Sequence, residues 1–207
     1  MKGKVGFQVE KKIRENYGRR LLMDLFKDKY QGAKLSDRPD IICPPKVGCE
    51  VTSSLSSTVH EYAATKEGDF SDLVGKIQEE DLKKSLKQWR RQKAKEEEDI
   101  HNYKRIYLQK LTNLNSPDYQ RFPENNLLIF SWIYSEEILM DFLVFLDEEK
   151  EEGILFDHIY IFFYGAVLER NRETGKIQIH PLKNKKVDGL FQKATWEVQV
   201  KTFLGIW

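Results

Sequence analysis

The stretch Arg38-Pro39-Asp40-Ile41-Ile42-Cys43-Pro44-Pro45-Lys46-Val47-Gly48-Cys49-Glu50-Val51-Thr52 limits what this chain can fold into more than any other. Ile41-Ile42-Cys43 is an apolar run of the kind that forms a short buried strand, and Pro44-Pro45 supplies a tight turn behind it. In the second arm Val47, Cys49 and Val51 alternate with Gly48, Glu50 and Thr52. One face of that arm is therefore apolar, and Glu50 and Thr52 share the other. A hairpin built this way aims Asp40 and Glu50 at one point. Two carboxylates converging beside a hydrophobic strand repel each other unless a cation lies between them. A hard divalent ion, which takes a few carboxylate oxygens and keeps several waters, suits such a place.

Before the hairpin, Val5, Val9, Ile13, Tyr17, Leu21 and Leu25 recur at every fourth position. The spacing predicts an amphipathic helix, widened by Leu22 and Phe26 and stopped by Gly32. Glu10 lies beside that stripe, spaced to pair with Arg14 on the helix surface. After the hairpin, the polar run Ser53 to Thr58 lies at the mouth of the site and offers Ser57 or Thr58 as a helix cap. From Phe70 to about Leu114 the chain is helix-forming and highly charged. Leu73, Val74, Ile77, Leu82, Leu86 and Trp89 give one apolar face. Ile100, Tyr103, Ile106, Tyr107, Leu111 and Leu114 give another, and between them Arg90 to Asp99 has Ala94 as its only apolar residue. The expected result is a long charged helical arm at about 70–114. Its basic half can follow a phosphate backbone, or its charges can simply be solvated beside the acidic run that follows.

Further on, Leu127 to Trp132 reads as a buried central strand, Ser135 to Glu152 as a helix that ends in an acidic run before Gly153, and Ile159 to Tyr164 as a second apolar strand. Val167-Leu168-Glu169 and Lys176 to His180 form a hairpin across Asn171 to Gly175. The tail from Asp188 to Trp207 shows alternation at Trp196, Val198 and Val200, with an apolar end suited to docking on the core or on a second subunit. This order of elements predicts a single α/β domain over 1–207, a mixed sheet flanked by helices. With 207 residues, 40% hydrophobic and 32% charged, the chain is long enough for a real core, and it has no apolar run approaching the roughly 20 residues that span a bilayer. The start, Met1-Lys2-Gly3-Lys4, lacks the apolar segment of a signal peptide, and Cys43 and Cys49 read as reduced thiols, although Cys43 can face Cys49 across the turn. A cytoplasmic, intracellular protein that does not enter membranes is expected. A net charge of +1 leaves any nucleic-acid binding to local patches.

Pro39-Asp40 followed by Glu50-Val51-Thr52 resembles the PD-(D/E)xK nuclease superfamily, over the span from the first helix to about Ile129. The resemblance implies a restriction-endonuclease-like fold that hydrolyses phosphodiester bonds, with DNA the expected polymer. Asp40, Glu50 and the carbonyl of Val51 would hold magnesium or manganese. Glu10 would be an accessory carboxylate from the first helix. The chain departs from the pattern at Thr52, where the family places a lysine. Thr52 can hydrogen-bond a water but carries no charge, so a lysine from a neighbouring helix is needed; Lys110 ranks first, then Lys104, then Lys76. The other reading is a nuclease fold that has lost catalysis and serves as a binding or interaction module through its arm, and a homodimer through the arm or the tail suits either. Other chemistries lack their signatures. His60, His101, His158 and His180 are scattered, and neither a glycine-rich phosphate loop nor a Gly-x-Ser-x-Gly turn occurs.

Overall fold

The computed structural model describes residues 2–54, 103–131, 136–149, 153–163 and 165–206. In chain order these form helix α1 (Lys2–Leu25), the single turn α2 (Lys27–Tyr30), strands β1 (Lys34–Leu35), β2 (Ile41–Cys43) and β3 (Val47–Ser53), helix α3 (103–114), strand β4 (Glu124–Phe130), helix α4 (Glu136–Glu148), strands β5 (His158–Phe163), β6 (Ala166–Asn171) and β7 (Ile177–Pro181), and helix α5 (Asn184–Phe203). The seven strands lie side by side in chain order. β3, β4 and β5 run parallel at the centre, and antiparallel pairs make both margins. The α/β class and the mixed sheet flanked by helices agree with the sequence pattern. The charged arm falls outside the described residues up to position 102, as do Lys76, His60 and His101. No helix among the described residues is long and apolar enough to cross a membrane.

Strand alternation sorts the core into two layers. Val47, Cys49, Val51, Leu128, Phe130, Tyr160, Phe162 and Val167 point to the face covered by α1 and α5. Leu127, Ile129, Ile159, Ile161, Phe163 and Leu168 point to the face covered by α3 and α4. Aromatic pairs knit each layer: Tyr17 stacks on Phe130 with ring centres 5.3 Å apart, and Tyr103 meets Phe142 at 5.2 Å. β4 is buried on both faces, as a parallel central strand should be. At β3 the second layer runs out. The residues that continue it there are Gly48, Glu50 and Thr52, so the α3 side of the sheet changes from apolar to polar at that strand.

Two elements differ from the sequence reading. The residues of α1 that reach the core are Glu15, Asn16, Tyr17, Leu21 and Leu22, with Val9 and Ile13 only half-buried. A strict four-residue spacing advances about 40° around a helix at each step, so the stripe from Val5 to Leu25 winds off one face before it ends. The helix stops at Leu25, and Gly32, with φ of +81°, turns the chain after α2. The tail is not strand-like: Asn184–Phe203 is one helix, and its buried Val187, Ala194 and Val198 recur at helical spacing. The alternation of Trp196, Val198 and Val200 is incidental; Trp196 lies exposed, as do Phe203, Leu204 and Ile206 at the helix end. α5 packs along α1 through Glu197, whose Oε2 accepts from Asn16 and Arg19 at 3.1 Å each and from Arg20 at 2.5 Å.

Candidate active site

The β2–β3 hairpin forms as its sequence requires. Cys43 pairs with Val47 and Ile41 with Cys49, and the turn over Pro44-Pro45 closes with the Lys46 N–H donating to the Cys43 carbonyl at 3.2 Å. The two thiols are free and not opposite each other: Cys49 is buried against Ile41, while Cys43 lies near the Gln31 carbonyl. Extending the same register by one residue sets Asp40, just ahead of β2, opposite Glu50. Asp40 is buried, at 2% exposure, and its Oδ2 accepts the Val51 N–H at 2.8 Å. The N–H and C=O of a strand residue point to the same side, so the Val51 carbonyl is directed toward the Asp40 edge as well.

Lys110 completes the group. It stands on α3, above the polar end of the sheet, and its Nζ donates to Glu50 Oε2 and lies 3.6 Å from Asp40 Oδ2. Its pKa responds to two opposed effects: burial lowers it, and the charges of Asp40 and Glu50 outweigh burial and raise it. Glu50 is pushed up, first by burial and then by Asp40, against the pull of Lys110. Tyr119, from the loop ahead of β4, lines the same cleft as Glu50, and its own pKa rises through burial and through the charge of that carboxylate. These groups line a cleft of about 400 Å³ together with Lys11, Arg38, Asn113 and Asp118.

The first-helix carboxylate at Asp40 is Glu15. Glu10 is exposed and acts on Arg14, its helical neighbour. Glu15 is 7% exposed and lies beside Asp40; burial first, and then the Asp40 charge, push its pKa up to about 7. Lys11, one turn earlier, lies 3.3 Å from Glu15 Oε1 and 3.9 Å from Asp40 Oδ1. Of the three lysines ranked from the sequence, Lys110 lies in the cleft. Lys104 packs over the Phe145 ring, 5.1 Å from its centre, on the α4 side. Thr52 is half-buried on the Glu50 face, level with Ile129 of β4. Glu15 and Tyr119 are the residues that sequence reasoning missed. The one signal for Glu15 was its i, i+4 spacing from Lys11, which is common on any helix surface; nothing marked Tyr119, because its place depends on how the loop folds back.

A second polar cluster lies on the α1 face near the other margin. His158 Nδ1 lies 2.7 Å from Glu169 Oε1, and His180 Nε2 lies 2.8 Å from Glu169 Oε2, so two histidines far apart in the chain meet on one carboxylate. The hydrogen bonds from His158 are the largest influence on Glu169 and hold its pKa below the usual range. Among the described residues, no group of three or more His, Cys, Asp and Glu side chains is arranged to hold a metal ion. Comparison of the chain with protein-family models, with curated proteins and with solved structures finds no match.

Proposed function

We propose that this chain is a metal-dependent nuclease of the PD-(D/E)xK kind that hydrolyses phosphodiester bonds, with DNA as its polymer. The observation that carries the reading is the ammonium of Lys110 in contact with Glu50 and close to Asp40. A lysine supplied from a helix takes the role that Thr52 lacks the charge to fill.

The residues present fit magnesium or manganese. Their donors are hard oxygens (the carboxylates of Asp40 and Glu50, and the Val51 carbonyl), and the Lys110 ammonium already marks the point between the acids as one where positive charge is stabilised. Magnesium commonly uses one or two carboxylates and takes its other oxygens from water and phosphate, so two acids suffice. When bound, the ion would supply Lewis acidity at the phosphate and a more acidic water. The chain's own groups do the rest. Asp40 is oriented by the Val51 N–H. Lys110 orients the attacking water and neutralises charge that grows on the phosphate oxygens. Water adds to phosphorus in line, the bond to one sugar oxygen breaks, and that oxygen leaves with a proton. Arg38 and Lys11, both exposed at the cleft, meet the phosphates on either side.

The test is incubation of the full chain with plasmid, single-stranded DNA and RNA in magnesium or manganese, beside Asp40→Asn and Glu50→Ala. The parent is expected to cut, and each variant to lose on the order of 10²–10³-fold or more of that rate. Absence of cleavage by folded parent protein would overturn the reading in favour of an interaction module. Equal cleavage by parent and variants would show that Asp40 and Glu50 are not the site.

A further inference from the structure

Lys110 reaches the two acids from across the cleft. A lysine at position 52 would ride on the same strand as Glu50, whereas the Lys110 ammonium comes between Glu50 and Asp40, donating to Glu50 Oε2 and lying 3.6 Å from Asp40 Oδ2. Two cations held by the same carboxylates would stand within about 4 Å of each other, where their repulsion at a shielded site is strong. The place holds one cation at a time. We propose that Lys110 is a tethered counter-ion that competes with the divalent ion for Asp40 and Glu50, and that its displacement is what delivers its ammonium to the substrate phosphate. This inference rests on the nuclease reading and adds an order of events to it: cation binding makes the lysine available.

The geometry supports exchange without rearrangement of the fold. Asp40 stays oriented when the ammonium leaves, because it keeps the Val51 N–H, and Glu50 stays fixed on β3 beside it. The lysine stem has four rotatable carbons, so Nζ can swing several ångströms while α3 stays in place. There is room for the swing, since the cleft continues past Glu50 to the polar side chains of Asn113, Ser116 and Asp118. Lys11 provides an internal control. Its ammonium also lies near Asp40, at 3.9 Å from Oδ1, but at the side of the acid that faces Glu15.

The test measures the accessibility of each lysine. The full chain is acylated with an activated ester at fixed pH, with and without magnesium chloride, and the rate at each lysine is read by peptide mass spectrometry. Magnesium binding is followed by calorimetry in parallel. Magnesium is expected to raise the Lys110 rate about fivefold or more, as the freed population grows, and to leave the exposed Lys27 and Lys183 unchanged. Asp40→Asn should abolish both the heat and the rise. An unchanged Lys110 rate alongside Asp40-dependent heat would overturn the displacement and leave the metal site standing. Absence of Asp40-dependent heat would overturn both. A second arm compares magnesium affinity in Lys110→Met and Lys11→Met, each shown by circular dichroism to be folded. Competition predicts a gain of about fivefold or more for Lys110→Met and less than about twofold for Lys11→Met. Equal gains would reflect overall charge alone and would overturn the proposal.

Discussion

Lys110 is at once the charge that makes the candidate site chemically useful and the charge that makes it stable. Its removal leaves Asp40 and Glu50, both under 5% exposed, facing each other with Lys11, 3.9 Å from Asp40 Oδ1, as a nearby counter-charge. Breaking a buried ion group in this way is costly because the remaining charges stay desolvated. Lys110→Met is therefore expected to lose about 2 kcal/mol or more of stability in urea titration, and millimolar magnesium to recover much of the loss. Glu15 makes a contribution of opposite sense. Its folded pKa, about 7, lies above its unfolded value, so the stability it contributes is present below about pH 4 and is lost as pH rises through 7. Glu15→Gln keeps a hydrogen-bonding group beside Asp40 without the ionisation. Without divalent ions, the variant should flatten the decline in stability between pH 5 and pH 8, by about 2 kcal/mol in denaturant titrations at the two pH values.

At the scale of elements, the hairpin was readable because each step of its argument is local: an apolar run, a Pro-Pro turn and a period of two fix the register, and the register fixes the opposition of Asp40 and Glu50. Lys110 was within reach for a similar reason, since its helix leads toward β4 and β4 pairs in parallel with β3. Glu15 and Tyr119 were not, because each owes its place to a neighbour distant in the chain. The same holds for His158 and His180, which become neighbours only when β5, β6 and β7 align. The tail's helix was not legible because Trp196, Val198 and Val200 alternate locally without a clear motif, while α1 selects the helical face made by Val187, Ala194 and Val198. Within the hairpin, Gly48 is held to its identity by packing. A Cβ there would fall 2.7 Å from both Phe122 Cδ2 and Pro39 Cγ. Gly48→Ala should therefore push Pro39, and Asp40 with it, away from Glu50. The expected outcome is a loss of about 1–3 kcal/mol in thermal or chemical unfolding, accompanied by weaker magnesium binding.

At the scale of the molecule, the sheet is enclosed by α1 and α5 on one face and by α3 and α4 on the other, and Glu197 ties the first pair together. Burial alone would raise its pKa; hydrogen bonds from Lys201, Asn16 and Arg20 and the charge of Arg19 outweigh burial and bring it down to about 2. That value lies below the unfolded one, so its stabilisation is present above about pH 4 and disappears as pH falls toward 2. After allowance for solvent screening it is worth about 1–2 kcal/mol. Glu197→Gln is expected to lower stability at pH 7 and to leave it unchanged at pH 2, so the two acid-unfolding curves should converge at the low end. Glu15 and Glu197 together therefore contribute most to stability in mildly acidic solution.

The parallel pairing of β3 with β4 also has a consequence in time. A ribosome translating this chain has made Asp40 and Glu50 long before it makes Lys110, and it makes Lys110 before β4, the strand against which β3 must lie. Local contacts form the β2–β3 hairpin early, while the β3–β4 pairing and the closure of α3 over the acids wait for a distant part of the chain. The nascent polypeptide therefore carries its two acids in an unfinished frame, and the group is completed late in synthesis, when its counter-ion and its covering helix arrive together.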